Sequence, residues 1–81
     1  MPQFMDFHSY LKLPARGIAE LTEATRNHAT DEFGVRQVEL YHNPDGTVFC
    51  LLDGPDAESI KKHHDALGIE CGDIHPVNSL L

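Results

Sequence analysis

The sequence predicts an α+β sandwich: one four-stranded antiparallel sheet with two helices on one face. Three observations lead there. Four short runs rich in apolar and aromatic residues, Gln3–His8, Val35–His42, Thr47–Leu52 and Ile74–Val77, read as strands. Two stretches of good helix formers, with apolar residues three and four apart, separate the first strand from the second and the third from the fourth. Glycine- and proline-bearing segments punctuate the joins. The order βαββαβ folds as a ferredoxin-like sandwich, and eighty-one residues make one domain, 1–81.

Each element has its own signals. In "QFMDFH", Met5 and Phe7 project to one side of strand one, and Phe4, Asp6 and His8 to the other. The loop "SYLKLP" follows, and Pro14 opens helix one, where its missing N–H is no loss. That helix is expected from Ala15 to about Glu32, with Ile18, Leu21 and Thr25 at helical spacing and Gly34 as the stop. Strand two ends at "NPDG", a tight turn in which Pro44 presets φ and Gly46 accepts a positive φ. After strand three, Asp53, Gly54 or Asp56 caps helix two, which ends at Gly68. Pro76 marks the last strand as an edge. Right-handed crossovers place strands one and three in the centre, with four and two outside.

Direction and parity then place the titratable groups. His8, His42, His63, His64 and His75, with Cys71 and Asp73, are expected at one end of the sheet, and His28 at the other. If the hairpin pairs His42 with Thr47, Leu40 lies opposite Phe49 and Val38 opposite Leu51. That all-apolar face belongs beneath the helices. Glu39 then lies opposite Cys50 on the open face, which also carries Phe4, Asp6, His8, Tyr41, Val48 and Leu52. Such a mixture suits a dimer interface with a site in it. In helix two, Ala57, Ile60, His64 and Leu67 form the inward stripe, so His64 is expected on the helix side and His8 on the open side.

Composition narrows the function. Thirteen acidic against six basic side chains give a formal charge of −7, which repels phosphate backbones and argues against nucleic acid as a partner. No apolar run approaches the ~18 residues of a membrane span. The N-terminal ten residues carry neither a basic region nor a long apolar stretch, so a cytoplasmic setting with reduced thiols is expected. There is no glycine-rich phosphate loop, and nothing adjacent to either cysteine marks an activated nucleophile.

Six histidines, two cysteines and many carboxylates supply the donors first-row transition metals prefer. Asp6 and His8, two apart on a strand, project from one face about 7 Å apart at Cα; Glu39 and Cys50 join them if the register above holds. Each residue also has a plainer reading. Asp6 and His8 can be polar strand residues, Cys50 a small apolar filler, and His64 a histidine satisfied within the core. Cys71 and His75 are spaced C-x3-H, a chelating interval that is not diagnostic.

The stretches "FMDFH", "VFCLLDGPDAESI" and "HDALG" together resemble a family of small ferredoxin-like proteins best known for a nickel-binding protein of actinobacteria. The resemblance runs through nearly the whole chain. Its marks are Asp6 and His8, Phe49–Cys50–Leu51, Pro55, and the His64–Gly68 pair. It implies a homodimer that binds nickel, with a role in metal sequestration or detoxification, and it carries over Asp6, His8, Cys50 and His64. Strand two departs from it, reading "VELYH" where relatives are expected to carry a tryptophan-type aromatic. The expectation is therefore a homodimer binding a divalent transition metal, nickel first, through Asp6, His8, Glu39, Cys50 and His64. The alternative is a small enzyme or small-molecule binder whose dimer-interface pocket is lined by Cys50, His64 and Glu39.

Overall fold

A computed structural model describes residues 2–11 and 14–81; of the loop read at 9–14, Lys12 and Leu13 lie outside the described residues. The elements come in the expected order: β1 (Gln3–His8), α1 (Ala15–Arg26), β2 (Arg36–His42), β3 (Val48–Asp53), α2 (Ala57–Leu67) and β4 (Ile74–Val77). The sheet is antiparallel, ordered β2-β3-β1-β4, so β1 and β3 are central as the crossover rule requires.

Helix α1 is shorter than expected. Asn27 caps it and His28 takes a left-handed φ of 55°, so the chain leaves the helix well before Gly34. Asp31 then organises the exit, its Oδ1 accepting the Phe33 and Val35 N–H groups, each at 2.9 Å. A side chain that satisfies two backbone donors outside a helix competes with the helix itself. Helix α2 behaves as its sequence suggests. Of the three cap candidates Asp56 acts, accepting the Ser59 N–H at 2.8 Å, and Gly68 closes the other end at φ 70°.

The strand faces correct the sequence reading. Asn43 and Thr47 close the hairpin, with the Asn43 N–H donating to the Thr47 carbonyl at 3.0 Å and Gly46 at φ 90° inside the loop. The loop therefore holds three residues, where pairing His42 with Thr47 would leave four. His42 pairs with Val48, Tyr41 with Phe49, Leu40 with Cys50 and Glu39 with Leu51. Each partner in β3 moves by one, and in a structure of period two that turns the strand over. A bulge between Gln37 and Glu39 shifts the register again, pairing Gln37 with Leu52.

Phe4, Asp6, His8, Val48, Cys50 and Leu52 consequently face the helices, not the open side; all six are buried. Phe4, Val48, Cys50 and Leu52 pack with Val35 and Ile60, and the half-buried Leu11, Phe33, Leu40 and Ile74 border this core. The open face instead carries Met5, Phe7, Glu39, Tyr41, Phe49 and Leu51. Phe7 and Phe49 stand side by side there, ring centroids 4.8 Å apart, each about two-fifths exposed (41% and 40%).

Candidate metal centre

Asp6 lies at the middle of the central strand, between Cys50 of β3 and Ile74 of β4. His8 follows two residues later on the same face, and α2 lays His64 over both from its inward stripe. The Asp6 side chain is 0% exposed, and its Oδ2 lies 2.5 Å from His64 Nε2 and 3.1 Å from His8 Nε2. The two imidazole rings are 5.4 Å apart. Neither approach has hydrogen-bond alignment, and both Asp6 oxygens are buried without a hydrogen-bond partner. A buried carboxylate without an aligned hydrogen bond is costly unless its ion-pair neighbours carry charge, so a proton on an imidazole or a bound cation has to compensate it.

His64 is oriented from behind. Its Nδ1 lies 2.8 Å from the Ile60 carbonyl and donates to it, which turns Nε2 toward Asp6. Were that imidazole neutral, its Nε2 lone pair would face a carboxylate oxygen at 2.5 Å. Either a proton on Nε2 or a cation shared by the two groups removes that repulsion. An imidazole held by a backbone carbonyl at one nitrogen, with the other free to ligate, is the usual support of a metal-binding histidine.

The electrostatics agree. Burial pushes the Asp6 carboxyl up, but His64, His8 and the Cys50 thiol together outweigh it and hold it below the ordinary carboxylate value. Burial pulls His64 down, yet Asp6 and the Ile60 carbonyl more than reverse this and raise it. The Cys50 thiol is pushed far up by burial and then by Asp6, and Cys71 is raised by the same two causes in the same order. Without a cation both thiols stay protonated; a bound cation inverts that preference.

Two sets of donor atoms converge on Asp6. Asp6, His8 and Cys50 form one and Asp6, His64 and Cys71 the other, the atoms of each set lying within 4.8 Å of one another. Imidazoles, a carboxylate and thiols suit a borderline-soft divalent cation. The Asp6 oxygens, buried without hydrogen bonds, give such a cation something to neutralise, so the residues present fit a metal ion. A small cavity of about 20 Å³ adjoins this cluster, with His8, Cys50, His63 and His64 in its wall.

Four of the five sequence candidates, Asp6, His8, Cys50 and His64, are thus brought together. Glu39 is not: it is exposed on the other face, its Oε1 accepting the Leu40 N–H at 3.1 Å. The separation expected between His8 and His64 is corrected as well, because β1 faces the helices. The interface pocket expected from Cys50, His64 and Glu39 loses its lining, since Glu39 sits at the exposed edge strand β2 and does not join the cavity beside Cys50 and His64. Of the other histidines grouped at that end, His63 is held by Asp31 at 2.6 Å, while His42 and His75 are exposed.

Sequence reasoning missed Cys71 as a partner of Asp6, having set it beside His75. The available signal was Gly72. A Cβ at that position would sit 3.1 Å from the Phe7 carbonyl, so a glycine there lets the segment before β4 run close against β1.

These features define a class: a small ferredoxin-like domain with a carboxylate–imidazole–thiol cluster buried between its sheet and its second helix. Residues 4–77 match the family described as "nickel responsive protein SCO4226-like", and the chain belongs to that family. Among solved structures, the crystal structure of SCO4226 from Streptomyces coelicolor A3(2) matches with a TM-score of 0.72 and 24% sequence identity. The match covers 98% of this chain and 99% of that one, and it establishes the shared fold. No curated protein matches the sequence.

Proposed function

We propose that this chain binds one divalent transition-metal ion between its sheet and α2. Asp6, His8, Cys50 and His64 are the ligands, and Cys71 is a further donor from the segment before β4. The observation that carries this reading is the buried Asp6 carboxylate, without a hydrogen bond at either oxygen, with two imidazoles and two thiols converging on it. Nickel is the metal to which the family description points. The bound cation would neutralise Asp6 and favour the thiolate at each cysteine. The chain's own contribution is to hold His64 by the Ile60 carbonyl and to exclude water. A closed site whose thiols are spent on the metal suits holding it, in sequestration or detoxification, more than reacting at it.

The chain works as a homodimer in this reading, joined through the open sheet face. Phe7, Phe49 and the 56%-exposed Tyr41 are the apolar surface such a pairing would bury. A cytoplasmic setting would keep both free cysteines available as ligands.

Calorimetric titration of nickel into chelator-treated, untagged protein tests the metal site. One ion per chain is expected at micromolar or tighter affinity, weakened at least about tenfold by Asp6→Ala or His8→Ala and unchanged by Glu39→Ala. Cu²⁺ is expected to bind more tightly than Ni²⁺ to the same ligands. Affinity no tighter than millimolar, or indifference to Asp6→Ala and His8→Ala, refutes the site. Sedimentation of Phe7→Glu tests the dimer: it should run as a monomer, and an unchanged mass removes the open face as the interface.

A further inference from the structure

Helix α1 stands off the sheet. None of its residues is buried, although Ile18 and Leu21 form an apolar stripe, and Ile18 is left 43% exposed. Between that stripe and β2 runs a cleft of about 360 Å³, floored by Val38 and Leu40 and lined by none of the five proposed metal donors. The size is at the lower end of small-molecule sites, about 300–1,000 Å³.

The ionisable groups of this cleft are less acidic than the chain as a whole. In a protein of formal charge −7, the described residues at the cleft include one acid, Glu39, at its rim and balanced by Arg26, while His28 and His42 add imidazole donors. His28 is also the one non-glycine residue with positive φ among the described residues. A left-handed backbone is unfavourable for an L-residue, and glycine is the usual choice at a helix end. The imidazole kept there is prepared as a donor. Arg36 Nη1 lies 3.3 Å from His28 Nδ1, and Arg36 is itself paired with Asp53. A guanidinium can only donate, so Nδ1 accepts and the proton resides on Nε2. The negative end of the α1 dipole is blunted too, because the Asn27, His28 and Ala29 N–H groups already occupy carbonyls of the last turn.

We propose that the α1–β2 cleft binds a small amphipathic carboxylate. Its hydrocarbon body lies along Ile18, Leu21, Val38 and Leu40, and its carboxylate meets Arg26 and the His28 Nε2–H. The cleft holds none of the five metal donors, and it shares Leu21 and Leu40 with the wall of the small cavity beside them.

The test is calorimetry of the full-length, chelator-treated protein with decanoate below its micellar concentration, and decylamine as the charge-reversed control. Decanoate is expected to bind one per chain with Kd on the order of 0.1 mM or tighter, and decylamine at least about tenfold more weakly. Ile18→Trp, which fills the cleft from an exposed position, should weaken decanoate about tenfold or more. His28→Gly should do the same while raising the melting temperature, because glycine accepts the left-handed φ. Its lost binding is therefore not lost folding. The proposal is overturned if decanoate fails to saturate, if decylamine binds as well, or if Ile18→Trp and His28→Gly both bind decanoate as the parent does. It is equally overturned if decanoate has no effect and Ile18→Trp changes the sedimenting mass, which would make the cleft a contact between copies.

Discussion

Replacing His64 by leucine isolates the buried pair at the centre of the site. Leucine suits the apolar stripe of α2 and roughly preserves volume, so the main loss is the partner of a carboxylate that is 0% exposed. Removing one member of a buried pair typically destabilises by about 3–5 kcal/mol. A domain of 81 residues at roughly 0.05–0.15 kcal/mol per residue has only about 4–12 kcal/mol in total, so His64→Leu should remove a large share of it near neutral pH. Adding Asp6→Leu removes the stranded charge, and the double variant should regain the parent stability within about 1 kcal/mol or exceed it. The pH response gives a second signature. In the parent, Asp6 lies below its ordinary value of 3.8, so its contribution is present above that pH and lost as pH falls through the native value. His64 lies above 6.5, so its contribution is present below that pH and lost as pH rises through the native value. In His64→Leu, burial is left to dominate Asp6 and raises it above the unfolded value, so acidification toward about pH 5 should stabilise the variant. Urea denaturation followed by circular dichroism in chelator, near pH 7 and pH 5, reads all of this. A His64→Leu protein as stable as the parent, or one that gains nothing on acidification, refutes the account of Asp6 as a charge compensated by His64.

Three further outcomes follow from the same geometry. Nickel affinity should rise from about pH 6 to pH 8, with proton release on binding, because the raised His64 must lose its Nε2 proton to ligate; calorimetry in buffers of different ionisation enthalpy measures both. Half-buried Cys71 should react with a disulfide reagent before the buried Cys50, and nickel should slow both, as read by thiol absorbance. Gly46→Ala should destabilise by about 1–2 kcal/mol from its φ of 90°. The added Cβ would meet Tyr10 Cδ2 at 2.6 Å, but Tyr10 is exposed and can swing away, so thermal denaturation should show the backbone effect alone.

Much of the site was legible before the fold was known. His64 could be placed on the inward stripe from Ala57, Ile60 and Leu67, because a helical period leaves one choice of face. Asp6 and His8 could be placed together, because two residues on a strand share a side. Which side was not legible. β1 offers Phe4 on one face and Met5 and Phe7 on the other, and β3 offers Val48, Cys50 and Leu52 against Phe49 and Leu51. Both faces of both strands are apolar enough to be inside, so patterning could not choose, and the assumed hairpin register chose wrongly. Glu39 entered the candidate ligands, and His8 was parted from His64, through that single residue of slip.

The sequence by itself determined the order of elements, the central place of β1 and β3, the α2 stop at Gly68 with its cap narrowed to Asp53, Gly54 or Asp56, and the pairing of Asp6 with His8. These rest on local chemistry: turn residues, caps and periods carried by consecutive side chains. Only the tertiary structure decided that Asp6, His8 and Cys50 turn toward α2, and that Cys71 joins them from beyond it. The physical reason is that a strand's two faces exchange with a one-residue change of register. Here the register depends on Gly46 adopting φ 90° within a three-residue loop, and on a bulge between Gln37 and Glu39.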